Sequence, residues 1–160
     1  MKKVFASSGL IIYKEKILLV WNNDLNSWMQ PGGMVMDFEN PEEALIREVK
    51  RITNHDIRII GVNPIQLFDS PNSKVLNAPL LIQERNLDNS NNELFSIDMI
   101  YLATLNESHS FSNETVDDLH YHWFTKDEVR GLYINDNTKE VIFKAYLILD
   151  KSKEKLVHTL

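Results

Sequence analysis

The sequence contains no cysteine, and its 160 residues include only five glycines and five prolines. Without cysteine the chain has no disulfide, no thiolate zinc site and no cysteine nucleophile, which favours a reducing compartment. Its apolar runs, such as Leu10 to Tyr13 and Ile17 to Trp21, fall far short of the ~20 residues that a membrane-spanning helix needs. No small-residue cleavage site follows the N-terminal strand pattern. We therefore expect a cytoplasmic protein with no membrane partner.

Positive charge is also scarce. The chain has 17 Lys and Arg against 23 Asp and Glu, for a formal net charge of −6. Nowhere are more than two basic residues adjacent, so no basic stripe is available to displace counterions from a nucleic acid backbone, and we expect no nucleic acid partner. The few glycines form no dinucleotide-binding, Walker or nucleophile-elbow motif, which excludes the enzyme classes that depend on them.

What is present suits one domain over residues 1–160, because 43% of the residues are hydrophobic and 25% are charged. Apolar and β-branched patterning predicts strands over residues 3–13, 16–21, 57–65, 78–83, 96–105 and 120–124. A short helix is predicted after Thr125, which forms a capping box with Glu128, and a final helix over about 138–151. Strands interleaved with helices predict an α/β sandwich around a mixed sheet.

The clearest local signal is a helix over about 41–53. Asn40 is a suitable N-cap, Pro41 suits the first helical position, and Glu43 completes a capping box. Before this helix, Pro31, Gly32 and Gly33 predict a tight loop in which glycine permits positive φ. Such a loop would offer unpaired backbone N–H groups to an anion, and nearby carboxylates could hold a divalent cation against a diphosphate.

The same region carries a longer motif. Gly33 is followed after five residues by Glu39, and after seven more by Arg47, Glu48 and Val49. This spacing resembles the first two thirds of the Nudix box, which continues with any residue, two glutamates, any residue, a glycine and an aliphatic residue. The segments Trp28 to Gly33, Asp98 to Tyr101 and Trp123 to Glu128 are also typical of Nudix hydrolases.

The resemblance implies a Nudix-type α/β/α sandwich that attacks a nucleoside-diphosphate-linked compound with water, using Mg²⁺ or Mn²⁺ held mainly by helix glutamates. It implies that Glu48 is a metal ligand and the catalytic residue, with Glu39 as a second carboxylate ligand. Gly32 and Gly33 would shape the substrate site, and Glu39 and Arg47 would support the loop geometry. The implied partner is a small nucleotide-like molecule, and such domains often form homodimers.

The match breaks in its last third. The two glutamates expected after Val49 fall on Arg51 and Ile52, and the closing glycine falls on Asn54. Family ligands at i, i+3 and i+4 of one helix converge on one ion, but here only Glu48 of the three is a carboxylate. At about 5.5 Å and an effective dielectric of about 20, two unit charges interact by roughly 3 kcal/mol, so each lost carboxylate weakens divalent binding substantially.

The site could compensate for the two missing glutamates in either of two ways. Carboxylates from other positions could complete a relocated metal site with Glu48, and the candidates are Asp37, Glu39, Glu93, Glu107 and Asp118. Alternatively, Arg51 could clamp a substrate phosphate and replace the metal by a fixed cation. The sequence therefore favours a Nudix hydrolase of weak activity, with a non-catalytic Nudix module that binds a nucleotide-like ligand or a protein partner as the alternative.

Three further residues have more than one interpretation. Asp98 interrupts an apolar strand, where it is either a substrate contact or, as we favour, a hydrogen-bonded strand residue. Trp28 and Phe38 flank the glycines and could stack on a base, although aromatic side chains beside a glycine turn more often belong to the core, which is our expectation for both.

Overall fold

The computed structural model describes residues 1–61, 68–87, 93–106 and 121–158, with side chains to residue 155. The elements in chain order are β1 (Lys2–Tyr13), β2 (Lys16–Asn22), β3 (Ser27–Met29), β4 (Gly32–Met34), α1 (Pro41–Thr53), β5 (Ile57–Ile59), β6 (Leu81–Asn86), β7 (Leu94–Leu105), β8 (Tyr121–Thr125), α2 (Lys126–Gly131) and α3 (Asp136–His158).

Strand β1 is the centre of a mixed sheet. It runs parallel to β7, with Lys2 opposite Leu94 and Ile11 opposite Ala103, and antiparallel to both β2 and β4. The order is β3-β2-β1-β7-β5, with β4 also paired to β1, β6 to β7 and β8 to β2. The parallel β1–β7 pairing brings residues about ninety positions apart in sequence side by side.

Two apolar layers cover the two faces of the sheet. Alternation along β1 sends Leu10 and Ile12 into a cluster with residues of α3, while Ile11 joins Leu45 and Val49 of α1 on the opposite face. The α/β/α sandwich with a mixed sheet is therefore confirmed. Among the residues described, no helix combines the length and hydropathy that crossing a membrane requires.

Helix α1 has the predicted bounds. Asn40 Oδ1 accepts hydrogen bonds from the N–H groups of Glu42 and Glu43, each at 3.0 Å, and the Glu43 carboxylate accepts from Asn40 N–H at 2.9 Å. The helix ends at Asn54, whose φ of 59° is left-handed. Asparagine tolerates this conformation better than most residues, which explains how the chain dispenses with the closing glycine.

The expected tight glycine loop is wrong. Gly32 and Gly33 belong to β4, where they lie opposite Ser8 and Ser7 of β1, and neither has a positive φ. These residues are glycine because there is no room for a side chain: a Cβ on Gly32 would lie 2.5 Å from Ser8 Cβ and closer still to the Ser7 carbonyl oxygen. The segment is a packed strand and not the predicted loop with glycines at positive φ.

Other boundaries differ by a few residues. Strand β6 begins three residues later than predicted, after Pro79, which lacks an N–H for the sheet. Helix α3 begins at Asp136 and continues to His158, because residues 151–155 include lysine and glutamate, which are good helix formers. Of the strand predicted over 57–65, the structure shows β5, which ends at Ile59. Residues 62–65 of that prediction lie outside the described residues.

Candidate active site

Glu48 lies on the inward face of α1, where its side chain is only 11% exposed. It packs against β4, because a Cβ on Gly33 would lie 2.7 Å from Glu48 Cγ. Gly33 therefore allows the helix and strand to approach closely enough for the carboxylate to lie between them. The two motif positions are fifteen residues apart in sequence and are in contact in the fold.

Arg47 joins the loop before α1 to the helix. Its Nε donates to Glu39 Oε2 at 2.9 Å, and its NH2 group donates to Glu39 Oε1 at 2.7 Å and to the Met34 carbonyl oxygen at 3.0 Å. The Glu39 side chain is 5% exposed and also accepts from Met36 N–H. The hydrogen bond from Arg47 lowers the pKa of Glu39 below its ordinary value of 4.5.

Both oxygens of Glu48 are bound by arginine. Arg47 NH1 donates to Oε1, while Arg51 donates to Oε2 from Nε at 3.1 Å and from NH2 at 2.7 Å. The second contact is an i,i+3 ion pair, and the Arg51 side chain remains 66% exposed. Arg51 thus turns back onto Glu48, the residue that was expected to coordinate a metal.

The described residues do not fit a preformed divalent site. No group of three or more His, Asp or Glu side chains that could hold a metal occurs among them. Glu39 and Glu48, the two expected ligands, direct their carboxylates at Arg47 and Arg51. Of the other acids considered, Asp37 and Glu93 belong to no such group, and Glu107 and Asp118 lie outside the described residues.

A cleft of about 180 Å³ opens beside β4. Its floor is a polar chain in which Ser8 Oγ donates to the Asp98 carboxylate at 3.0 Å and accepts from Gln30 Nε2 at 3.4 Å. Arg85 forms an ion pair with the same carboxylate, and the Asp98 side chain is only 3% exposed. Gly32 and Gly33 line the cleft as well, so β4 separates it from Glu48.

The structure confirms Asp98 as a hydrogen-bonded strand residue, but its partners were not predicted. Ser8 comes from β1 and Arg85 from β6, and only the parallel β1–β7 register and the β6–β7 pairing bring them to Asp98. Trp28 packs against the α3-side cluster as expected. The expectation for Phe38 is wrong: its side chain is exposed, because the loop turns Glu39 inward to Arg47 instead.

The Glu39–Arg47 pair predicts how stability depends on pH. A carboxylate whose folded pKa is depressed stabilises the fold above its unfolded pKa, and this contribution is lost as the pH falls through the folded pKa. We expect the free energy of unfolding of the wild type to decrease between about pH 5 and pH 3 more steeply than that of Glu39→Gln. Urea unfolding at a series of pH values measures both slopes, and equal slopes would contradict the assigned pKa shift.

Comparison with known proteins is consistent with this geometry. The family model described as NUDIX domain matches residues 4–146. An RNA pyrophosphohydrolase of Marinomonas sp. (strain MWYL1) is 38% identical over 58 residues, which are 33% of this chain and 36% of that protein. The aligned stretch thus spans about a third of the relative's length.

Solved structures extend the similarity to most of the chain. A NUDIX-family hydrolase from Clostridium perfringens has a TM-score of 0.75 and 25% identity, over 93% of this chain and 99% of that chain. The C. elegans Ap4A hydrolase has a TM-score of 0.58 and 15% identity, over 92% and 98% of the two chains. At that identity the second comparison shows a shared fold.

Proposed function

Because the chain belongs to the Nudix family, we propose that it hydrolyses the pyrophosphate bond of a nucleoside-diphosphate-linked compound, with weak activity. Glu48 is the proposed catalytic residue. Gly32, Gly33 and Arg51 contact the substrate, and Glu39 and Arg47 hold the loop that precedes α1. The cleft floored by Asp98 accommodates the organic group, and the phosphates extend across β4 toward Glu48.

One observation carries the proposal. The matched part of the Nudix box forms a single connected unit, in which Arg47 bridges Glu39 and Glu48 by hydrogen bonds while Glu48 packs on Gly33. The unit also lies beside the one cleft that combines Gly32 and Gly33 with a polar floor among the described pockets.

Weak activity follows from the charges at this unit. Nudix proteins generally use divalent metal ions. Here the helix positions that would add two carboxylates carry Arg51 and Ile52, and the carboxylate that remains is already neutralised by two guanidinium groups. A site without preorganised negative charge holds Mg²⁺ or Mn²⁺ poorly, because Mg²⁺ gives up its water ligands reluctantly.

The Arg51–Glu48 pair also favours a second candidate function. A Nudix module that binds a nucleotide-like ligand or a protein partner without hydrolysis needs no metal and tolerates a carboxylate occupied by arginine. The two functions differ in whether product is released, so a turnover measurement separates them.

We expect slow release of phosphate products from at least one member of a panel of nucleotides, dinucleoside polyphosphates and nucleotide sugars. The panel is measured during titration with Mg²⁺ and Mn²⁺. Glu48→Gln should lower the rate about tenfold or more, since it removes the charge of the catalytic carboxylate while nearly preserving the size of the side chain. The matched control is Glu140→Gln, which removes an exposed carboxylate from α3.

Two results would count against this assignment. Turnover that Glu48→Gln leaves unchanged would remove Glu48 from the catalytic role. Ligand binding without turnover of any panel member would favour the non-catalytic module. Thermal melts of both variants establish that the rates compare folded proteins.

The proposal extends to the organisation of the protein. Residues 1–160 form one domain, which should unfold in a single cooperative transition in urea, and the protein acts in the cytoplasm. A homodimer, which the family resemblance implies, is tested by light scattering at several protein concentrations.

A further inference from the structure

The charged side chains of the Nudix box alternate in sign. Glu39, Arg47, Glu48 and Arg51 form a continuous chain of ion pairs, and their formal charges sum to zero. A helix face carrying three glutamates would repel a diphosphate strongly unless a cation intervened. This face is neutral, so a polyanion can approach it directly.

The two arginines differ in what they can still bind. Arg47 directs four N–H groups at Glu39, Met34 and Glu48. Arg51 directs only Nε and one NH2 hydrogen, both at Glu48 Oε2. Its guanidinium carries five N–H groups, so three of them donate to no acceptor among the described residues.

Exposure and position also select Arg51. Its side chain is 66% exposed, whereas that of Arg47 is 32% exposed. The neighbouring cation Lys50 points elsewhere, because its Nζ donates to Asp56 Oδ2 at 2.8 Å and to the Asn54 carbonyl oxygen at 3.2 Å. Glu48 fixes Arg51 from one side and leaves the other edge of the planar fork open, which suits bidentate binding of phosphate oxygens.

We propose that Arg51 binds the diphosphate of the ligand directly, and that this fixed cation takes the place of a resident divalent ion at the box. The identity of the ligand as a diphosphate rests on the proposed function. Binding itself does not require that the bond be hydrolysed. Glu48 then acts as the residue that positions Arg51, in addition to any role in turnover.

The test is calorimetric titration of the full chain with inorganic pyrophosphate in buffer containing EDTA. The wild type should bind without a divalent ion, and Arg51→Gln should weaken binding about tenfold or more, since charge-assisted hydrogen bonds are lost. The matched control is Lys50→Gln, which removes one charge from the same helical turn and should change the affinity by less than about twofold. Glu48→Gln should also weaken binding, because an amide presents only one acceptor oxygen to the two arginines and no longer holds Arg51 in place.

A second titration uses Mg²⁺ alone. The wild type should show no saturation at millimolar Mg²⁺, and the double variant Arg51→Glu with Ile52→Glu should bind Mg²⁺ and lose metal-free pyrophosphate binding. The proposal is overturned if pyrophosphate binds the wild type only with Mg²⁺, or if Arg51→Gln binds it unchanged. Absence of turnover in the nucleotide panel would defeat the proposed hydrolysis and leave these binding results intact.

Discussion

Replacing Gly32 by alanine is expected to lower the free energy of unfolding by about 3 kcal/mol, at the upper end of what overpacking usually costs. The new Cβ would lie 2.5 Å from Ser8 Cβ and 2.6 Å from Ser8 Cα, and closer still to the Ser7 carbonyl oxygen. These neighbours belong largely to the backbone of β1, which is also paired with β7 and cannot move without disturbing the centre of the sheet.

Urea unfolding measures this effect, and Gly131→Ala is the control. Gly131 ends α2, and a Cβ there would have no heavy atom within 4 Å, so alanine should be neutral or stabilising by up to about 1 kcal/mol. Equal stabilities of the two variants would show that the close approach of β4 to β1 does not explain why position 32 is glycine.

Helix α1 shows which parts of the fold a local pattern determines. Its start depends on Asn40, Pro41 and Glu43, and its buried face on Leu45 and Val49, all within one stretch of ten residues. Capping and amphipathic spacing are local interactions, so they can be recognised in the sequence before any tertiary contact is known. The α/β/α sandwich could be predicted in the same way, because the apolar spacing along each helix and strand shows which of its faces is buried.

The glycines of β4 show where local patterns mislead. Two consecutive glycines after a proline are typical of a turn with positive φ. Here they are required by the backbone of β1 and by Glu48, which lie more than ten residues away in sequence. The contacts of Arg85 and Ser8 with Asp98 could not be predicted from local sequence either. They depend on the strand register across β6, β7 and β1.

The substitution at Arg51 lies between these cases. Alignment with the Nudix box identified the position, and i,i+3 spacing on a helix permits an ion pair with Glu48. What the spacing could not predict is that Arg47 also binds this carboxylate, so that the box becomes a neutral chain of four alternating charges. The proposed metal-free binding of a diphosphate rests on this neutrality more than on the absence of either glutamate alone.

Replacing Arg85 by leucine is expected to destabilise the fold by about 3 kcal/mol, because it leaves the Asp98 carboxylate buried with no cationic partner. The value is at the low end for a broken buried pair, since Arg85 is 31% exposed and water reaches part of the contact. Asp98→Asn keeps a partner for Ser8 and should cost only about 1 kcal/mol.

A double-mutant cycle separates the ion pair from packing. Arg85→Leu combined with Asp98→Asn should recover about 2 kcal/mol relative to the sum of the single variants, because no buried charge remains. The control is Glu84→Gln on the same strand, which breaks the exposed Lys3–Glu84 pair and should cost less than about 1 kcal/mol. If Arg85→Leu costs no more than Glu84→Gln, the pair at the floor of the cleft does not stabilise the fold, and Arg85 is then more simply explained as a ligand contact.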